Sequence, residues 1–363
     1  GGPADRIPRF PGYEEADERI VEAYVAATAV EPASAPSALR WVYTPLHGVG
    51  WETAERVFDR SGFPAPVPVT AQLQPDATFP TVAFPNPEEK GALDLALATA
   101  DAEGIDVVVA NDPDADRLAA AIRGEAGWQI LSGNQLGLLL GWACADRARR
   151  DGRSGTLAAS LVSTPGLRRI AEHYGLGYTE TLTGFKWISR VPGLLFGFEE
   201  ALGFLVDPDK VRDKDGISAA VAFLRELTEL ETAGTSFAEH QREFDATFGA
   251  FASAQISVRV TSLDQIAAGM TRLRTSPPAS IGGLAVQRMD DLLRGGGELP
   301  PSDVLRFRLD GGARLIARPS GTEPKLKLYL DVEALSGSVE ERRAAARATL
   351  DALRSGADDL LAG

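Results

Sequence analysis

Residues 105–117 read IDVVVANDPDADR, an apolar run that stops abruptly at three aspartates. Ile105–Ala110 is short and rich in β-branched residues, the pattern of a strand buried on both faces of a parallel sheet. Working outward, Arg40–Thr44 has the same character, and Glu52–Arg60, Ala92–Glu103 and Asn134–Arg149 have helical character. A second set begins near Thr156, with a strand in TLAASLV, a helix at Pro165–Tyr174, a strand at Leu194–Phe198 and a helix at Gly216–Leu230. Strand, loop and helix in alternation predict α/β units with mainly parallel strands. Around Ala250 the order changes. Ala254–Val260, Leu284–Arg288, Val304–Leu309, Arg314–Ala317 and Leu326–Val332 read as strands, with helices at Leu263–Leu273 and Val339–Leu361. Strands in runs with segregated helices predict a separate α+β domain. The expected organisation is a tail and linker over 1–36 with a helix at Glu14–Thr28, two successive α/β domains at 37–151 and 152–250, and an α+β domain at 251–363.

A chain of 363 residues, 44% hydrophobic and 24% charged, suits two or three globular domains of ordinary core size. Its formal charge of −14 argues against nucleic acid or an anionic membrane as partner. An anionic small substrate then needs a local basic pocket. Cys144 is the single cysteine, which excludes an intramolecular disulfide and a zinc cluster, and it reads as buried core. The longest apolar run, Leu136–Ala145, is far below the roughly 20 residues of a membrane span. GGPADRIPRFPG has no apolar h-region, so the expected location is the cytoplasm.

Asp112, Asp114 and Asp116 alternate, and in an extended loop a period of two turns all three carboxylates to one side. Such a cluster repels itself unless a cation sits among the oxygens, and an all-oxygen set favours Mg²⁺ or Ca²⁺. An EF-hand starting at Asp112 fails, because its sixth and twelfth positions hold Arg117 and Arg123 in place of Gly and Glu. A phosphatase with Asp112 as nucleophile stays open, as does a solvated acidic turn. Arg117 beside the loop suits a phosphate oxygen.

Residues 318–325, RPSGTEPK, join two apolar strands and supply the missing basic pocket. Ser320 and Thr322 offer hydroxyls, Gly321 lets the backbone approach closely, and Arg318 and Lys325 carry charge. A polar hairpin turn is the plainer reading. Glu199 and Glu200 follow the strand LLFGF, at the end where open α/β sheets bind ligands, and Glu199 is the candidate acceptor for sugar hydroxyls. Lys186 in TGFKWI and Lys214 in VRDKDG bracket this loop as phosphate or proton-transfer candidates. His47, in TPLHGVG, either lines the site or caps a turn. Thr53 occupies the third glycine position of a dinucleotide fingerprint there, so NAD is not supported.

Taken together, the HGVG turn, DPDADR at 112–117, the GFK loop, FEEALGF and RPSGTEP at 318–324 resemble, in that order, the α-D-phosphohexomutase superfamily of phosphoglucomutases and phosphomannomutases. PNPEE, NDPDADRLA and FEEALGF are most similar to the branch containing phosphopentomutase-type enzymes. The resemblance implies the second to fourth of four domains around one cleft. Asp112, Asp114 and Asp116 would bind Mg²⁺, Arg117 would contact phosphate, and Glu199 would hold sugar hydroxyls. Lys214, Arg318, Ser320, Gly321, Thr322 and Lys325 would bind substrate, with Arg318, Ser320, Gly321 and Thr322 at the phosphate not being transferred. A phosphoserine would exchange its phosphoryl group with a sugar monophosphate through a sugar bisphosphate primer, with Lys186 as the expected general base.

Two departures stand out. Ala201 replaces the serine usual in the sugar loop, and no TASHNP-like phosphoserine motif occurs in the sequence. Residues 1–30 resemble the end of the family's first domain, so a chain lacking that domain, and unable to catalyse alone, is expected. A non-catalytic sugar-phosphate and Mg²⁺ binder is the alternative, beside the Asp112 phosphatase.

Overall fold

The structure is a computed structural model that describes residues 14–30, 37–259, 263–295, 299–319 and 325–362, together with Arg6, Pro8 and Gly12. Helix α1 (Glu18–Thr28) precedes the first sheet, which orders its strands β2-β1-β3-β4-β5: β1 (Val42–Thr44), β2 (Val67–Pro68), β3 (Val107–Asn111), β4 (Leu118–Gly124) and β5 (Gly127–Leu131). The continuous apolar lettering of β1 and β3 follows from helices on both faces. Tyr43 and Val109 pack with Ala54, Val57 and Phe58 of α2 (Trp51–Arg60), whereas Val42 and Val108 pack with Ala96 and Ala100 of α3 (Asp94–Glu103). β1 pairs in parallel with β2 and β3, and the sheet closes on the antiparallel strands β4 and β5. The alanines of LAAAIRG carry little strand propensity, which hides β4 from the sequence pattern.

Helix α4 (Gly133–Arg150) starts from a capping box in which Ser132 and Gln135 satisfy each other's backbone N–H groups. It lies on the second sheet, ordered β7-β6-β8-β9: β6 (Thr156–Ser160), β7 (Gly177–Thr181), β8 (Leu194–Glu199) and β9 (Gly203–Leu205). The contact is close because α4 presents glycines. A Cβ on Gly137 would sit 2.3 Å from the Phe198 ring, and one on Gly141 would sit 2.4 Å from Leu167 of α5 (Gly166–Tyr174). Short α6 (Phe185–Ile188) covers the other face, where Phe185 and Ile188 pack with Ala158 and Leu205. Helices α7 (Gly216–Ala233) and α8 (Phe237–Phe248) complete this part. Cys144 is only partly buried, its thiol 3.6 Å from the Leu195 carbonyl.

The third sheet is antiparallel in every pairing, in the order β10-β15-β14-β13-β12-β11. It contains β10 (Ala250–Arg259), β11 (Ser280–Ile281), β12 (Leu284–Asp291), β13 (Leu305–Leu309), β14 (Ala313–Pro319) and β15 (Lys325–Ala334). Leu326, Leu328, Leu330 and Val332 alternate toward a core shared with α9 (Leu263–Thr275) and α10 (Val339–Ala362), as an α+β domain requires. The opposite face joins an apolar patch, Ile316 and Tyr329 packed with Leu161 and Val162, to charged residues that meet the second sheet. Arg314 Nη2 donates to the Ser163 carbonyl at 2.6 Å and to Asp331 at 2.7 Å, and Arg306 pairs with Glu180. No helix among the described residues is long and apolar enough to cross a membrane.

Candidate active site

The acidic loop leaves the C-terminal end of β3 and is held from three directions. Asn111, buried, donates to the Arg117 carbonyl at 2.7 Å while accepting from the Tyr43 hydroxyl at 2.7 Å. The Val49 N–H donates to the Pro113 carbonyl at 2.9 Å, and a Cβ on Gly48 would lie 2.3 Å from that oxygen. Gly216, the first residue of α7, donates to the Ala115 carbonyl at 3.0 Å. Ala115 takes a positive φ of 56°, which turns the loop back so that one oxygen each from Asp112, Asp114 and Asp116 falls within 4.8 Å of the others. The Asp114 carboxyl is pushed up by partial burial and by the negative charges of Asp112 and Asp116, so the cluster is short of positive charge. An all-oxygen set of this size fits Mg²⁺.

Two cations already attend the cluster. Arg117 donates from its backbone to Asp112 Oδ1 at 2.9 Å and from Nε to Asp112 Oδ2 at 2.5 Å. Lys214 Nζ lies 2.5 Å from Asp116 Oδ2; burial pulls its pKa down, but the Asp116 contact outweighs this and the net shift is upward. Lys186 is exposed, its ammonium 5.8 Å from the Trp187 ring centre, and it forms no ion pair among the described residues. His47 is buried, hydrogen-bonds Thr81 at 2.8 Å and does not line the large cavity described below.

Glu199 ends β8 and accepts from the Gly184 N–H. Burial pushes its pKa up to about 7, against the fields of Lys214 and Arg318. Arg318, from the far strand β14, is thus one of the two cations whose field reaches Glu199. Glu200, to which the sequence assigns no role, is tied to Ser160 at 3.2 Å and Ser163 at 3.3 Å, and burial raises its pKa. Ser320, Gly321 and Thr322 lie outside the described residues; Arg318 and Lys325 flank them.

A cavity of about 1090 Å³ brings the separate stretches together. Arg117 from the acidic loop, Glu88 from PNPEE, Glu200 from the sugar loop and Lys325 from β15 all line it. Arg117 reaches the PNPEE loop through Asn86 Oδ1 at 3.2 Å, a contact between two motifs that nothing in their lettering connects. A second cavity of about 450 Å³, between α4, α8 and α10, contains none of the expected site residues.

Three family models match in succession: phosphoglucomutase/phosphomannomutase alpha/beta/alpha domain II over 21–125, alpha/beta/alpha domain III over 132–248, and the C-terminal domain over 256–350. The chain belongs to the phosphoglucomutase/phosphomannomutase family. Among its relatives is a probable phosphomannomutase of Haemophilus influenzae, 50% identical over 326 residues, covering 90% of this chain and 66% of that protein. A phosphopentomutase of Homo sapiens is 34% identical over 332 residues, covering 83% of this chain and 54% of that protein. The chain thus spans between half and two thirds of the length of these curated relatives. A solved structure of a putative phosphomannomutase from Thermus thermophilus shares the fold, with a TM-score of 0.68 at 22% identity over 95% of this chain and 66% of that one. The family's second and third domain matches meet between 125 and 132, and α4 packs accordingly on the second sheet.

Proposed function

We propose that this chain holds the metal, the sugar and the distal phosphate of a phosphosugar mutase that interconverts hexose 1-phosphate and 6-phosphate through a phosphoserine and a sugar bisphosphate. The observation that carries the reading is the shared hollow: Arg117, which adjoins the acidic cluster, and Lys325, which adjoins the RPSGTEP loop, line one cavity. A sugar with a phosphate at each end needs this arrangement, an acidic wall that takes a cation and an opposite basic wall that takes the far phosphate.

Asp112, Asp114 and Asp116 would hold Mg²⁺, which when bound neutralises charge on the phosphoryl group in transfer. Arg117 orients a phosphate oxygen. Glu199, half protonated near neutrality, accepts from one sugar hydroxyl and can give or take a proton there. Lys186 is the general base that the resemblance implies. Lys214 is nearer the acidic cluster than the exposed Lys186, but the Asp116 contact raises its pKa, which suits it to holding a phosphate as an ammonium and not to taking a proton. Arg318 and Lys325, with Ser320, Gly321 and Thr322, grip the distal phosphate.

The assay is conversion of glucose 1-phosphate to 6-phosphate with Mg²⁺ and glucose 1,6-bisphosphate. This chain alone is expected to bind the bisphosphate and to give no turnover, since no TASHNP-like motif is in the sequence. Turnover by the chain alone would refute the reliance on a separate phosphoserine. Absence of any bisphosphate binding would refute the proposed site.

A further inference from the structure

Helix α1 gives no residue to the acidic cluster or to the large cavity, yet its inner side chains end on the segment that holds the acidic loop. Arg56 of α2 pairs with Glu18 and Glu22, and Val25 and Thr28 are buried, so α1 is fixed against α2. From that base Tyr24 reaches Asp215, in the turn that opens α7. Its hydroxyl donates to Asp215 Oδ1 at 2.8 Å and to Oδ2 at 3.0 Å. Burial, together with the negative charge of Asp215, pushes the Tyr24 pKa up, so the hydroxyl keeps its proton and stays a donor. Lys210 closes the clasp. Its ammonium lies 2.7 Å from Thr28 Oγ1, 3.2 Å from Asp215 Oδ2 and 4.9 Å from the Tyr24 ring centre.

Asp215 is buried and faces two ways. Its Oδ1 accepts from the Ile217 and Ser218 N–H groups at 3.2 and 3.1 Å, which caps α7. Its two chain neighbours turn instead to the acidic loop: Lys214 Nζ lies 2.5 Å from Asp116 Oδ2, and the Gly216 N–H donates to the Ala115 carbonyl at 3.0 Å. Planar peptides fix the spacing of consecutive residues, so a shift of Asp215 carries Lys214 and Gly216 with it. The place of Asp215 therefore sets the place of both contacts on the loop.

From this chain of contacts we propose that Tyr24 is a positioning residue for the metal cluster, acting through Asp215 on the contacts that Lys214 and Gly216 make with the loop. The inference rests on the reading of Asp112, Asp114 and Asp116 as Mg²⁺ ligands and extends it to a helix remote from them in the sequence.

The test measures Mg²⁺ affinity by calorimetry and melting temperature in EDTA, for the unaltered chain, Tyr24→Phe, Asp215→Ser and the double variant. Tyr24→Phe keeps the ring and loses only the hydroxyl. Asp215→Ser keeps an N-cap acceptor but is too short to reach α1. Supporting contacts around metal ligands are worth about 10–100-fold in affinity. Tyr24 acts through an intermediary, so Tyr24→Phe is expected to bind Mg²⁺ about three- to tenfold more weakly, at or below the lower end of that range. Asp215→Ser is expected to lose at least as much, and the double variant no more than Asp215→Ser alone, as two residues in one link should behave. Unchanged Mg²⁺ affinity in Tyr24→Phe, with or without a lower melting temperature, overturns the proposal and leaves α1 a purely structural strap. Losses that add in the double variant overturn the route through Asp215. Failure of the unaltered chain to bind Mg²⁺ overturns the metal reading itself, and the role of Tyr24 with it.

Discussion

Replacing Gly216 by alanine tests how the acidic cluster is held. Gly216 opens α7 against the loop, and a Cβ there would lie 2.2 Å from the Arg117 carbonyl oxygen, 2.6 Å from Asn111 Nδ2 and 2.7 Å from the Ala115 carbonyl oxygen. Close carbon–oxygen contacts settle near about 3.3 Å, so helix or loop must retreat by about 1 Å. Two effects oppose each other. Alanine favours the helix over glycine by at most about 1 kcal/mol, whereas overpacking costs about 1–3 kcal/mol. The crowded atoms are mostly backbone oxygens of the loop, with no flexible side-chain end to swing away, so the steric term wins. The displacement falls on the residues flanking Asp116, and Mg²⁺ tolerates little error in ligand geometry. Gly216→Ala is expected to lose about 1–3 kcal/mol in urea unfolding and roughly tenfold or more in Mg²⁺ affinity by calorimetry, the scale of losing a supporting contact around metal ligands. Unchanged Mg²⁺ affinity, with or without a stability loss, would refute the claim that the start of α7 seats the cluster.

Arg314→Met strips the buried Asp331 of its 2.7 Å partner and is expected to destabilise the chain by about 3–5 kcal/mol in chemical denaturation; a change below about 1 kcal/mol would show that the contact between the second and third sheets does not depend on it. Glu199 has an ordinary glutamate value of 4.5 raised to about 7 in the folded chain, so between those values the folded state binds more protons than the unfolded state. Stability contributed by this group is therefore present below pH 4.5 and falls as pH rises to about 7, by on the order of 3 kcal/mol. Glu199→Gln should flatten that decline in unfolding curves taken at about pH 5 and about pH 8, and identical pH slopes would count against it. At Gly269, inside α9, an added Cβ meets nothing within 4 Å, so Gly269→Ala should raise stability by up to about 1 kcal/mol, read as an increase in melting temperature.

The parts of this fold visible in the letters are those where one physical signal acts alone. β3 is readable because both its faces are covered, which forces an apolar residue at every position from Val107 to Ala110. Helix α8 carries a readable sign as well, since Ser236 and Glu239 form a capping box, but the polar lettering around His240 masks it. The acidic cluster is legible because three aspartates in alternation have few other uses. Its supports are not, since they come from Tyr43, Val49 and Gly216, residues whose role is visible only once β1, α2 and α7 are adjacent to β3. Glu200 and Lys327 illustrate the same limit on the opposite walls. Each sits beside a motif residue in the chain or across the sheet, and each owes its interest to burial or register. A strand of alternating lysine and leucine looks like any half-solvated strand until its polar face is found lining a cavity shared with distant motifs.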